Sequence, residues 1–250
     1  MKRTKRKLRW WHVAVLAVLL LAVCGASLWC HTAPYRSKLW LHRCNSLEKL
    51  HEQEVRFRNV EVDVVVRPDG MLDVTHDADT TFHLDLEPYF SELSQRGSRL
   101  WMDVKNLDAR TAPLLHTRLQ QQLCARYGVS RSQLILESRN LSQLATFTAR
   151  GYYTSYYVSF AKPSQLSPAD IDRCLQQLRT IARSRQVRAL SFPGWWYGEI
   201  HRHLHESIDL LTWKHRTTEA ELRLWPANLP LLKDPQVKVI LIKSKGRFHR

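Results

Sequence analysis

From Lys38 to Ile242, short apolar or β-branched runs alternate with longer amphipathic stretches, and the alternation completes eight rounds. The clearest short run is Val60 to Val66. Its Val60, Val62, Val64 and Val66 interleave with Glu61, Asp63 and Val65, the two-residue period of a β-strand, so Glu61 and Asp63 share one face. The other strands are expected at Lys38 to Leu41, Leu100 to Val104, Leu134 to Leu136, Tyr153 to Ser159, Ala189 to Phe192, Leu210 to Trp213 and Val237 to Ile242. Between them the spacing predicts helices over Ser46 to Glu54, Leu86 to Gln95, Ala112 to Tyr127, Leu141 to Ala149, Pro168 to Arg185, Tyr197 to His205 and Thr218 to Leu224. Ser167 ahead of Pro168 supplies an N-cap with proline at the first helical position, and Thr217 is a candidate cap for the last helix. Eight strand-then-helix rounds predict an α/β fold, a (β/α)8 barrel of the TIM type, and no glycine-rich nucleotide loop points instead to an open doubly wound sheet. No repeat and no Pro- or Gly/Ser-rich linker interrupts the span. One barrel is therefore expected over residues 38–243, followed by a basic tail at 244–250.

The chain ahead of this span is of another kind. MKRTKRKLR carries six basic residues and no acid, and Trp10 to Trp29 is an almost uninterrupted apolar run with tryptophan at both ends. Length, flanking charge and interfacial aromatics predict a basic cytoplasmic tail at 1–9 and a single-pass transmembrane signal anchor at 10–30. The barrel would then lie on the extracytoplasmic, periplasmic side of a cell inner membrane. A cleaved signal peptide is the competing reading, because Cys24, Gly25 and Ala26 place small residues near the end of the run. Removing the six basic residues of the tail lowers the formal charge from +15 to +9. A basic domain outside the cytoplasm points to anionic lipid, glycan or phosphate partners and away from nucleic acid. Cys44, Cys124 and Cys174 are too widely spaced for a metal knuckle, and the sequence leaves open whether any two of them pair.

The chemistry concentrates around the Val60 strand. Arg67-Pro68-Asp69-Gly70 is a turn, and Met71 to Thr75 is a second short extended run that returns His76 toward the carboxylates. Barrels of this class collect their chemistry at the C-terminal ends of the strands. Polar residues fall there in nearly every round: His42, Arg43 and Asn45, then Asp103 and Lys105, Glu137 and Ser138, Ser159 and Lys162, and Trp213 with Lys214. Glu61, Asp63 and Asp103 form an all-oxygen set suited to a divalent cation, Mg²⁺ or Ca²⁺, with positions left for water and substrate oxygens. His42 and His76 on either side of that cation suit general acid and general base. Lys105 suits neutralisation of charge developing on a phosphate.

In these positions HRCN at His42, EVD at Glu61, HD at His76 and DVK at Asp103 resemble the signature of the glycerophosphodiester phosphodiesterase superfamily, the PLC-like phosphodiesterase barrels. His76 follows Asp63 by thirteen residues after a PDG turn of the kind that family uses, and LLTWK at Trp213 resembles its late strand ending in an aromatic. The HxxN opening, His42 to Asn45, and DxK, Asp103 to Lys105, also resemble the branch with sphingomyelinase D-like phospholipases and menorin-type proteins. Cys44 departs from the glycine usual in glycerophosphodiesterases. The resemblance implies a phosphoric diester hydrolase in which Glu61, Asp63 and Asp103 hold the cation and His42 and His76 carry acid-base catalysis. Arg43, Asn45, Lys105 and Trp213 would contact a phosphodiester substrate: a glycerophosphodiester, a phospholipid head group or an envelope glycan phosphate.

Several positions admit two readings. Asn45 either serves the site or caps the helix beginning near Ser46. Glu137 either extends the metal site or makes a structural ion pair. Trp195, Trp196, Tyr197 and Trp213 either shape a pocket or pack the core. His201, His203 and His205 alternate on a helix and do not share a face, so they read as surface. Asn140-Leu141-Ser142 fits a glycosylation sequon. At the level of function, the alternatives are a catalytically silent barrel that binds a phosphorylated ligand or partner protein, and a metal-independent phosphoinositide-type lyase.

Overall fold

The structure, a computed structural model, describes residues 2–244, with side chains from Trp10 onward. Of the predicted basic tail, 245–250 lies outside the described residues, and Ser244 is packed, its hydroxyl bonding Gln53 Oε1 at 2.8 Å. Eight parallel strands close on themselves: β1 (Leu39–Leu41), β2 (Val60–Val66), β4 (Leu100–Val104), β5 (Leu134–Ser138), β6 (Tyr153–Tyr157), β7 (Ala189–Pro193), β8 (Asp209–Trp213) and β9 (Val237–Ile242). The ring is sealed where β1 pairs with both β2 and β9. A two-residue strand, β3 (Leu72–Asp73), pairs antiparallel with the end of β2. Around the ring lie α2 (Leu47–Gln53), α3 (Glu87–Arg96), α4 (Thr111–Thr117), α5 (Ala125–Tyr127), α6 (Leu141–Ala149), α7 (Pro168–Ser184), α8 (Tyr197–His203), α9 (Glu219–Leu224) and α10 (Leu229–Lys233). The TIM-type barrel expected from the alternation is the fold observed.

The period of two sorts each strand between two cores. Val60, Val62, Val64 and Val66 face outward into the layer shared with the helices, where they join Leu100, Met102, Leu134 and Leu136. The barrel interior holds Trp40, Trp101, Ile135, Ala189, Leu211, Val239 and Leu241. Each apolar side chain so buried contributes about 1.5–3 kcal/mol relative to exposure. Glu61 and Asp63, offset by one from the valines, therefore point into the barrel above that plug.

One of the two predicted caps is found, and the other is displaced by one residue. Ser167 caps α7 by accepting from the Asp170 N–H at 3.2 Å, and Pro168 needs no hydrogen bond in the first turn. The cap of α9 is Thr218 and not Thr217, because only Thr218 sits three residues ahead of Glu221 and completes a reciprocal capping box with it. The predicted helix over Ala112 to Tyr127 is interrupted by a π-helical stretch, Arg118–Cys124. The strand predicted to reach Ser159 ends at Tyr157, and α8 ends at His203.

Ahead of the barrel, α1 spans Lys2–Thr32, and its apolar segment is long and apolar enough to cross a membrane, a test that a signal sequence also passes. The end of α1 is tied to the barrel. Arg223 on α9, nearly fully buried, donates to the Trp29 carbonyl at 2.6 Å and to Thr32 Oγ1 at 3.1 Å. Its guanidinium lies 3.5 Å from the Trp29 ring centroid and pairs with Glu219 at 2.9 Å. All five cysteines are free thiols.

Candidate active site

The site lies at the C-terminal ends of β1, β2, β4 and β5, in a cleft of about 440 Å³. Strand register builds it. Asp63 stands beside Asp103 and Asp103 beside Glu137 across three neighbouring strands, with Glu61 one inward position earlier on β2. One ligand oxygen from each of Glu61, Asp63 and Asp103 lies within 4.8 Å of the others. Glu61 and Asp63 are buried, so their charges are weakly screened. Burial, followed by the neighbouring Asp63 and Asp103 charges, pushes the Glu61 carboxyl well above its ordinary range. Asp63 is held below it despite its burial, chiefly by the Lys105 ammonium. Asp103 is raised, by burial above all.

Lys105 bridges the two aspartates, and Asn45 and Arg43 lower Asp63 further. Lys105 Nζ donates to Asp63 Oδ1 at 2.6 Å and to Asp103 Oδ2 at 2.5 Å, so an ammonium provides positive charge among the carboxylates. The donor set fits a hard divalent cation: three carboxylates, no soft ligand, and a cluster that a single lysine leaves under-neutralised.

The loop after β1 is held by several anchors. Arg43 adopts a left-handed backbone, φ 51°, uncommon for a side chain of its kind. That conformation aims its N–H at Glu61 Oε2, 2.6 Å away. The buried Lys49 ammonium closes the carbonyls of His42 (2.9 Å) and Arg43 (2.6 Å), and Tyr89 Oη donates to the Cys44 carbonyl at 2.7 Å. Asn45 is not a helix cap. Ser46 caps α2 instead, and Asn45 grips Asp63 twice, donating to Oδ2 at 2.7 Å and accepting from its backbone N–H at 3.0 Å. Asn45 thereby orients a candidate cation ligand.

The two histidines flank the carboxylates. His42 Nε2 is 3.8 Å from Glu61 Oε2, and burial, with Arg43 adding to it, lowers the ring to about 3, so it is neutral. His76 is carried by the segment after β2. Gly70, φ 87°, makes the tight turn, and Arg67 binds Asp73 Oδ2 at 2.7 Å and the Ala78 carbonyl at 2.7 Å, fixing the chain on either side of His76. His76 Nε2 meets Arg43 Nη2 at 2.9 Å, and Nδ1 meets Asp77 Oδ1 at 2.7 Å. A guanidinium only donates, so Nε2 is the acceptor and Nδ1–H faces Asp77. Asp77, which orients this ring, was not singled out from the sequence, although it stands in the HD pair.

Farther round the mouth, Trp213 stacks on Tyr157 with centroids 5.3 Å apart and an interplanar angle of 24°. Trp195 is 40% exposed and lines the same cleft, whereas Trp196 belongs to the core, its Nε1 donating to the Ala161 carbonyl at 3.0 Å. Glu137 makes no ion pair among the described residues. It is buried in the cleft wall with Oε2 unpartnered, and burial, then Asp103, raises its carboxyl well above the ordinary range. His201 bonds Asp234 at 3.0 Å away from the cleft, and Asn140 is engaged as the cap of α6.

No protein-family model matches the chain, and a search of curated protein sequences finds no match. Solved structures do match. A protein from Silicibacter pomeroyi DSS-3 assigned as a glycerophosphoryl diester phosphodiesterase superimposes with a TM-score of 0.59 at 13% identity, over 82% of this chain and 88% of its own. Glycerophosphodiester phosphodiesterase from Agrobacterium tumefaciens gives 0.53 at 13% identity, over 82% and 94%. An Oleispira antarctica phosphodiesterase, solved with its product sn-glycerol-3-phosphate, gives 0.53 at 15% identity, over 82% and 92%. The barrel therefore has the fold of the glycerophosphodiester phosphodiesterase-like barrels.

Proposed function

We propose that the chain is a metal-dependent phosphoric diester hydrolase, anchored by α1 with its barrel on the extracytoplasmic side of a membrane. Its substrate class is a glycerophosphodiester, a phospholipid head group or a glycan phosphate. The observation that carries this reading is the convergence of Glu61, Asp63 and Asp103 on one point, with His42 and His76 opening onto the same cleft. The barrel's likeness to solved phosphodiesterases supports it.

The three carboxylates would hold Mg²⁺ or Ca²⁺, which when bound supplies Lewis-acid charge to phosphate oxygens. Lys105 and Arg43 would bind the remaining phosphate oxygens and stabilise charge as the bond to the leaving group breaks. His42, neutral through burial, is suited to take the proton from the attacking hydroxyl or water. His76, held by Asp77 on Nδ1, would deliver a proton from Nε2 to the departing oxygen in its doubly protonated form, once Arg43 turns from Nε2 to the phosphate. Trp213 and Tyr157 offer a flat face to the alcohol portion.

The test is release of p-nitrophenolate from bis(p-nitrophenyl) phosphate by the full chain in detergent micelles, with Mg²⁺, Ca²⁺ or EDTA. Turnover should require a cation and fall by about 10²–10⁴-fold in His42→Ala. Glu61→Ala should abolish it. Equal turnover in EDTA would overturn the metal requirement, and no turnover with any cation would favour a silent barrel.

A further inference from the structure

The mouth of the barrel is divided by charge. Its carboxylates all come from β2, β4, β5 and the segment after β2. The segments that follow β5 to β9, at 139–140, 158–167, 194–196, 214–218 and 243–244, contain no Asp or Glu. They contribute Arg139, Lys162, Lys214, His215, Arg216 and Lys243. Lys214 is occupied by Asn228 Oδ1. Among the described residues Arg139, Lys162, Arg216 and Lys243 form no ion pair, although other basic residues, such as Lys105 and Lys238, do.

Two of these cations rest on aromatic faces. Arg139 lies 4.7 Å from the Tyr157 ring centroid and Lys162 5.0 Å from that of Trp195. The others crowd one another. Lys243 is lowered by burial and then by Arg43 and Arg216, and His215 by burial and then by Lys243, Arg216, Arg43 and Lys162. Like charges gathered without a counter-charge at the rim of a low-dielectric cleft focus a positive potential into it.

Charge balance gives that potential a use. Within the cleft Glu61, Asp63, Asp103 and Glu137, even with all four ionised, only balance the permanent cations Arg43, Lys105, Arg139 and Lys243. A divalent cation on the carboxylates would leave two positive charges in excess, with Lys162 and Arg216 at the edge adding to them. A phosphodiester brings one negative charge.

We infer that the acid-free half of the mouth, built on Arg139, Arg216 and Lys243 beside the Tyr157–Trp213 stack, is a subsite for a second phosphate carried by the same substrate. The inference rests on the phosphodiesterase reading and narrows it to substrates whose alcohol portion is itself phosphorylated, whether soluble or on a lipid head group. A simple zwitterionic or neutral head group would leave this half of the mouth unmatched.

Binding tests it independently of turnover. Calorimetry of the full chain in micelles compares fructose 6-phosphate with fructose 1,6-bisphosphate at physiological salt. The bisphosphate should bind about tenfold or more tightly, a difference of about 1.4 kcal/mol. That preference should vanish in Arg216→Ala/Lys243→Ala and persist in Arg188→Ala/Lys233→Ala, which removes the same charge from exposed positions ahead of β7 and β9. Equal affinity for the two sugars, or a preference surviving the rim substitutions, overturns the subsite. Loss of binding to phosphatidylcholine vesicles containing phosphatidylglycerol in the rim variant, with no bisphosphate preference in the wild type, also overturns it and assigns the charge to a membrane surface. Hydrolysis of bis(p-nitrophenyl) phosphate by the unmutated chain reads the parent assignment separately: turnover without a bisphosphate preference removes only the subsite.

Discussion

Replacing Lys105 with methionine keeps an unbranched stem, one atom shorter, and removes the charge that holds the carboxylate cluster together. The ammonium is 2.6 Å from Asp63 and 2.5 Å from Asp103, its side chain is 20% exposed, and that of Asp63 is 2% exposed. Removing one partner of a buried ion pair costs about 3–5 kcal/mol, because the remaining charge is left uncompensated. Partial exposure, and the ease with which Glu61 and Asp103 stay protonated, set the loss at about 3 kcal/mol. For a domain of this size each kcal/mol moves the melting midpoint by about 2–4 °C, so in EDTA the variant should melt about 6–12 °C below the wild type. A divalent cation at a hundredfold excess over its dissociation constant adds about 2.7 kcal/mol to whichever chain binds it, so Ca²⁺ should raise the melts by about 5–11 °C. Tryptophan fluorescence melts in micelles, with EDTA and with Ca²⁺, make the measurement. Coincident melts in EDTA would refute the neutralising role of Lys105, and melts that Ca²⁺ fails to raise would refute the cation site.

Other outcomes follow from single contacts. Asn45→Ala removes both bonds to Asp63 and strands a backbone N–H, so it should destabilise by about 2–4 kcal/mol and weaken divalent binding; unchanged melting and calorimetry would contradict the orienting role. Arg223→Ala breaks the ties to Trp29, Thr32 and Glu219, and trypsin should then cut at Arg36 or Lys38 several-fold faster in a timed digest, whereas an unchanged rate would mean that these contacts do not hold α1. Cys44 is buried and its thiol is pushed up to about 12, first by burial, so iodoacetamide at pH 8 should spare it in the native protein and alkylate it after unfolding. Native modification of Cys44, read by peptide mass, would contradict its buried place within the loop after β1.

The barrel was legible because its strands alternate cleanly and its helices carry caps and apolar faces, as at Val60–Val66 and α7. The carboxylates were legible for the same reason: the valine period fixes which way Glu61 and Asp63 point. What escaped depends on contacts distant in sequence. Asn45 looks like a cap because it precedes Ser46, and only the fold brings Asp63 into its reach. Asp77 is an exposed acid until His76 turns Nδ1 toward it. Trp195 and Trp196 are adjacent and chemically identical, yet one lines the cleft and the other fills the core. The basic half of the mouth was hidden because its cations come from four separate segments, none of them notable alone.

The hydrolase reading depends on whether Glu61, Asp63 and Asp103 hold a cation. Calorimetric titration of the chelator-treated full chain with Ca²⁺ and with Mg²⁺, beside Glu61→Gln/Asp103→Asn, measures that directly. One divalent cation per chain, with binding lost in the double variant, is the predicted result. No binding to the wild type, or equal binding to the variant, would contradict it.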